Sequence, residues 1–376
     1  MALTEDQHRE ILDRLDPNRY LVGGAIGQFY VDRDPALRTR LTKVLSLPDA
    51  KVFLWGQSGS GKSTELARLD QDLDRSMFSV GVEVARFFDL ADLTLAQIFV
   101  AGTFVAMQVA KEQGVTSSSE TRSRLAPCGL SWVDDHPKLS PDSCREASLA
   151  FVRQETAVAL HEIEAAVGRP VILLYDGLEK LVVGQALGLF ATNGEMLAAW
   201  PARALFVVPP LAPFEPEWLE AERHAADRVF LRALPVADMG VPHCEIARQF
   251  FRDMATRRLA TGGAAIASDV LDLVISFGGG IPRQFLQVLR DSFLDAMLEG
   301  LDSPNATSVE KAGRRLRDAL KLKLTPKDIY DLDMLRGQRV EQLDQNVLHL
   351  VAMDCVIQYE SGGKQWYGVN PLLSLV

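Results

Sequence analysis

Phe78, Val80, Val82 and Val84 alternate with small or polar residues, the period of a half-buried strand. Lys51–Trp55 and residues 171–175 are short apolar runs, with further candidates at 204–208 and 229–231. Runs of that length suit strands covered on both faces. Helical spacing fills the intervals. Thr4 and Gln7 stand at capping-box distance ahead of Ile11, Leu12 and Leu15. Residues 150–167 are periodic until Gly168 and Pro170 stop them. Residues 93–110 carry no charge and just reach the length of a short membrane span. Thr94, Gln97, Thr103 and Gln108 within them, with Asp89 and Asp92 before, predict a buried helix instead. Residues 114–143 are poorly periodic and rich in Ser, Pro and Asp, which predicts a long surface insertion.

Strands alternating with helices over 46–235 predict a parallel, doubly wound sheet. After Pro235 only helices follow: Ile246, Phe250, Phe251 and Met254 share a face, and 270–275 begins another helix. From about residue 305 the pattern is helical to Asp354. Residues 355–359, a glycine turn and residues 365–369 then read as a hairpin. Helices ending in a two-stranded wing predict a winged-helix module.

Composition narrows this reading. The 376 residues are 47% hydrophobic and 24% charged, the balance of a soluble globular chain. Forty Lys plus Arg against fifty Asp plus Glu exclude a generally cationic nucleic-acid coat. Four cysteines without a CxxC pair predict free thiols in a reducing cytoplasm. The start, MALTEDQHRE, is too polar for a secretory signal.

The chemistry begins at Gly56-Gln57-Ser58-Gly59-Ser60-Gly61-Lys62-Ser63-Thr64, a complete GxxxxGK[ST] between an apolar strand and a helical pattern. Glycines let backbone N–H groups curl around phosphates, and the helix N-terminus adds partial positive charge. In such a loop Lys62 reaches the β- and γ-phosphates and the Ser63 hydroxyl ligates Mg²⁺. The prediction is a nucleoside triphosphate with Mg²⁺. A second apolar strand ends in Tyr175-Asp176-Gly177-Leu178-Glu179. Asp176 stands where a carboxylate holds the Mg²⁺ shell, and Glu179 where one orients or deprotonates water. Alone, the motif also fits a capping Asp176 and a solvated Glu179.

At these residues the chain resembles the additional-strand P-loop ATPases, particularly the STAND branch of NACHT- and KAP-like ATPases, and their AAA+ relatives. GQSGSGKST and DGLEK are similar to the NACHT pattern. Phe29-Tyr30-Val31-Asp32-Arg33-Asp34 resembles the opening box of that superfamily, near the adenine. Phe277-Gly278-Gly279-Gly280-Ile281-Pro282-Arg283 resembles the glycine-x-proline motif of STAND lids. The resemblance spans about residues 20–376. It implies an α/β P-loop NTPase fold, a parallel sheet sandwiched by helices and followed by a helical lid and a winged-helix domain. It implies a division into a helical segment and opening box (1–45), the ATPase domain (46–235), the lid (236–303) and the winged helix (304–376). It further implies that Pro282 lies at the nucleotide and that Arg283 acts catalytically by sensing the γ-phosphate.

The chain also departs from that family. Pro209 and Pro210 stand where the family places a sensor, and Lys180 replaces a second acid after Glu179. His349, in the region where some STAND winged helices aim a histidine at ADP, reads as an ordinary core-edge residue. Arg223 and Arg228 occupy the region of the AAA+ arginine finger, or are surface residues.

Residues 311–327 hold seven basic residues and one acid, Asp318. They contact nucleic-acid phosphates or pack across the acidic ATPase domain. Glu341, Asp344 and Asp354 in the presumptive groove helix favour packing. Cys128, His136 and Cys144 lack metal-site spacing. The glycines at 23–27 follow no strand and are no dinucleotide fingerprint. The leading expectation is a cytoplasmic, slow ATPase that switches a partner protein, with nucleotide-dependent oligomerisation and no membrane association. By analogy its setting is bacterial defence or signalling. The alternative is a DNA-associated AAA+ loader or transposition-type regulator using the wing on duplex DNA. A small-molecule kinase leaves the lid and wing without a purpose.

Overall fold

Among the described residues nine strands form. They are Lys51–Trp55 (β1), Phe78–Glu83 (β2), Leu130–Val133 (β3), His136–Leu139 (β4), Val171–Asp176 (β5), Arg203–Val207 (β6), Asp227–Phe230 (β7), Val356–Ser361 (β8) and Lys364–Val369 (β9). The computed structural model describes residues 4–374 apart from 20, 22, 74–75, 145, 237–243 and 261–263, so the start of the expected lid lies outside the described residues. The chain divides into two compact units. A sheet unit holds Asp34–Trp55 and Glu65–Phe230, and a loop-and-lid unit holds Met1–Arg33, Gly56–Thr64 and Leu231–Val376.

In the sheet unit five parallel strands run in the order β2-β5-β6-β1-β7, flanked by helices as the sequence predicts. Ile172↔Arg203 and Val52↔Leu205 set the register on either side of β6. The unbroken apolar runs of β5 and β1 are interior strands, and the alternating β2 is an edge. The charge-free stretch is a buried helix, Leu95–Glu112, started by a Thr94/Gln97 capping box. It lies so close to β5 that a Cβ on Gly102 would fall 2.1 Å from the Tyr175 hydroxyl. That hydroxyl donates to Ile98 O at 2.9 Å. Among the described residues no helix is long and apolar enough to cross a membrane.

The expected surface insertion at 114–143 is instead a small folded subdomain. It contains the helix Ser119–Leu125, the β3–β4 hairpin and the short helix Pro141–Cys144. Leu125, Cys128, Leu130 and Cys144 are buried in the sheet unit's core. Its polar composition hid these few apolar anchors, and its turn residues Asp134 and Asp135 adopt positive φ without a glycine to announce it.

The loop-and-lid unit is helical. Glu5–Arg14, Cys244–Leu259, Ser268–Gly278, Pro282–Leu298 and Ala306–Lys321 enclose Ile11, Phe251, Ile275, Phe285, Phe293 and Val309. The expected shared face of Cys244–Leu259 needs correction: Ile246 is 68% exposed, while Ala247 turns inward with Phe250, Phe251 and Met254. The expected continuous helix to Asp354 is broken as well. Helices end at Lys321 and Leu335, and only Gln345–Val347 and His349–Ala352 coil briefly before β8. Gly337 at φ +72 marks the interruption. In the β8–β9 hairpin Tyr359 pairs with Trp366. Val340 bridges to Tyr367 outside β9, and Ala233 bridges to Tyr359 outside β8.

Candidate phosphate-binding site

The phosphate loop leaves the C-terminal end of β1 and runs into the helix Lys62–Leu73, which carries Ser63 and Thr64 in its first turn. Gly59 sits at φ +74, where its Cβ would meet that of Arg283 at 2.5 Å. Only glycine fits both demands. The Lys62 ammonium folds onto the loop itself, donating to Gly56 O at 2.8 Å and Gln57 O at 2.9 Å. Ser60 N also donates to Gln57 O, at 3.2 Å.

Residues of the 277–283 glycine motif contact this loop. Pro282 opens the Pro282–Leu298 helix at a position where its missing N–H costs nothing. The Arg283 N–H donates to Gly59 O at 3.2 Å, and its guanidinium donates to Ser58 Oγ at 3.0 Å. Gly280, at φ +82, lies against Leu234, whose carbonyl oxygen would fall 1.9 Å from any Cβ there. From the opening box, Arg33 donates to Ser60 O at 2.5 Å and to Arg232 O. Behind it Arg257 donates to Tyr30 O at 2.6 Å, and Arg258 lies over the Phe29 ring. Burial lowers the Arg258 guanidinium to about 10.

Gln57, read in the sequence only as part of the phosphate loop, has a second use for its side chain, and Gln358 and Asp354 carried no sequence signal of a place at this site. Gln57 is 2% exposed. Its amide nitrogen donates to Val351 O (3.2 Å) and Val356 O (2.8 Å), and its oxygen accepts from Gln358 N at 2.9 Å. Asp354, at φ +59, faces the charges of Lys62, Lys323 and Arg283. Burial nevertheless pushes its carboxyl up to about 6. Its Oδ1 has no hydrogen-bond partner among the described residues. A cleft of about 210 Å³ is bounded by Ser58, Arg283, Gln287, Leu320, Lys323 and Asp354. A hydrophobicity pattern finds none of these roles, because the groups that meet here lie far apart along the chain.

In the sheet unit, Asp176 ends β5 opposite Glu83 of β2, and its Oδ1 accepts from Gly177 N at 3.0 Å. Glu179 is half-buried in the single turn Leu178–Lys180. Arg223 pairs with Glu220 at 2.7 Å and Arg228 with Glu222, so both guanidinium groups are engaged within their own unit. After β6, Pro209 accepts from Ala212 N in a turn. His349 bonds Asp328 at 2.7 Å. Hydrogen bonds from Thr325 and His349 hold the Asp328 carboxyl down at about 2. Two residues of the basic run reach the helix Pro282–Leu298 or its C-cap, Arg315 bonding Asp295 and Lys311 bonding Glu299, while Arg314, Arg317 and Lys327 pair with Glu310, Asp318 and Asp331. Among the described residues no cluster of three His, Cys, Asp or Glu could hold a metal ion.

No protein-family model matches the chain, and no curated protein does. Solved structures of similar chain course include the Cdc6p protein of Pyrobaculum aerophilum, at 12% identity over 100% of this chain and 97% of that one, with a TM-score of 0.49. The Aeropyrum pernix ORC2 protein, in its ADPNP-ADP complexes, is 12% identical over 96% and 95%, with a TM-score of 0.48. The Thermotoga maritima RuvB Holliday junction branch migration motor is 10% identical over 94% and 95%, with a TM-score of 0.44.

Proposed function

We propose that the protein is an ATP-binding, slowly hydrolysing switch of the STAND/AAA+ type, in which the lid and a C-terminal winged helix read the nucleotide and act on a partner protein. The observation that carries this reading is the complete phosphate loop with Arg283 of the lid on Ser58 and Gly59. The backbone of Gly56–Thr64 would cradle the phosphates, with Lys62 neutralising the β- and γ-oxygens. Ser63 and Asp176 are the oxygen donors suited to Mg²⁺, which supplies charge neutralisation when bound. Glu179 would orient the attacking water and accept its proton. Pro282 fixes the start of the lid helix, so Arg283 enters or leaves the phosphate region with it. In this reading an anionic γ-phosphate draws Lys62 off the Gly56 and Gln57 carbonyls and competes for Arg283, and the lid responds.

The test compares two variants by calorimetry and phosphate release. Lys62→Ala should abolish Mg²⁺-ATP binding, whereas Glu179→Gln should keep binding and slow hydrolysis by about 10²-fold or more. Equal loss of binding in both sinks the assignment. Light scattering on Glu179→Gln with Mg²⁺-ATP and then Mg²⁺-ADP tests assembly. A mass that rises only with ATP supports nucleotide-gated oligomers, and an unchanged monomer supports an intramolecular switch.

A further inference from the structure

We infer that Gln57 is a positioning residue through which the phosphate loop and the β8 segment set each other's geometry, so that filling the loop changes the backbone at 351–358. The inference rests on the nucleotide-binding reading above. A phosphate loop cradles its ligand with main-chain N–H groups, so the side chain at its second position is free for other use. Here both amide hydrogens of Gln57 and its oxygen are spent, on Val351 O, Val356 O and Gln358 N. Gln358 directs its N–H away from β9, and its own carbonyl accepts from Ala233 N at 3.3 Å. Gln57 thus takes the place of a neighbouring strand along the outer edge of β8.

The main chain of the same residue touches the other end of the device. Gln57 O accepts from the Lys62 ammonium. Phosphate oxygens that draw Lys62 away leave that carbonyl with Ser60 N alone, and any rotation of the peptide carries the carboxamide with it. The carboxamide is buried between two carbonyls and an amide, so it moves only if they move or if three hydrogen bonds are lost. Asp354 lies in the turn between Val351 and Val356 and feels the Lys62 charge directly, so displacing that charge acts on the same turn. A second tether joins this turn to the lid. Asn370 Nδ2 donates to Asp354 O and to Gln284 Oε1, both at 2.8 Å.

The experiment is hydrogen exchange over residues 351–361 of the full chain, with and without Mg²⁺-ATP, read beside calorimetric affinity. In the wild type, nucleotide should change exchange there by roughly threefold or more. In Gln57→Met, which keeps the volume without the carboxamide, that change should vanish and affinity should fall about tenfold. If Gln57→Met fails to fold, Gln57→Glu serves. It keeps the acceptor for Gln358 N while facing two carbonyls with a carboxylate, and it should lose the coupling likewise. A variant that folds and retains the nucleotide-dependent change overturns the inference, because a merely structural tether would leave that change in place. A wild type that binds Mg²⁺-ATP with unchanged exchange overturns it too. A wild type that takes up no Mg²⁺-ATP overturns the nucleotide reading and this inference together.

Discussion

Inside the sheet unit Phe53 packs against Phe190, Phe206 and Trp218 with ring centroids 5.4, 6.0 and 5.1 Å away, and Tyr175 stacks on Phe206 at 4.9 Å. The loop-and-lid unit has an apolar core of its own, but its phosphate loop is held by single polar contacts between residues distant in the chain. Arg33 holds Ser60, Arg283 holds Ser58, and Gln57 holds Val351, Val356 and Gln358. An aromatic cluster shares its energy over many contacts and has one good packing. A guanidinium on a hydroxyl or carbonyl can exchange partners for a phosphate at little net cost, whereas the buried Gln57 carboxamide moves only together with the backbone it holds. Nucleotide-driven change is therefore expected in the second kind of region, with the first as its rigid reference.

The sharpest way to break that contrast is Phe53→Ala. It should lower stability in denaturant unfolding by about 3–5 kcal/mol. A loss below about 1 kcal/mol would deny the cluster its central role.

Next comes Asp354→Asn. The folded carboxyl titrates near 6 instead of at its ordinary 3.8, so the native state binds more protons than the unfolded chain between those values. Stability falls as pH rises through that window and stays reduced above it. Asp354→Asn should thus raise stability by about 1–2 kcal/mol at pH 7.5 and change it little at pH 4. Equal effects at both values would show that the group acts by packing instead of by charge.

The smallest effect belongs to Arg315→Gln, which cuts a half-exposed pair with Asp295 and should cost under about 1 kcal/mol. Extending it to Arg314 and Arg317 sharpens the functional side. If the wild type binds duplex DNA with steep salt dependence and this triple neutralisation removes it, the DNA-associated alternative displaces the partner-protein reading.

The same contrast governs what a reader of the sequence could see. The strands and the buried helix Leu95–Glu112 were legible because burial on a sheet writes itself as local periodicity. The loop at 56–64 was legible because phosphate binding demands glycines, a lysine and a hydroxyl at fixed spacing. Pro282 and Arg283 stood out only through the resemblance of 277–283 to a family's lid motif. Ile246 misled because one apolar residue off the true face looks like part of it, and Ala247 is too small to contradict it. The 114–143 subdomain was missed because four anchors hold it under a polar surface. The joint role of the Gln57 side chain, Gln358 and Asp354 was invisible because the groups they meet lie up to 301 residues away, which no local spacing records.

The bridges outside the terminal hairpin have a consequence for life at high concentration. A two-stranded ribbon ordinarily presents two rows of unmet backbone groups, each a template for an extended segment of another molecule. Here Gln57 and Ala233 occupy the row outside β8, and Val340 exchanges both of its backbone bonds with Tyr367 outside β9. With its own chain at the middle of each margin, the ribbon offers a growing fibril less open edge to add to.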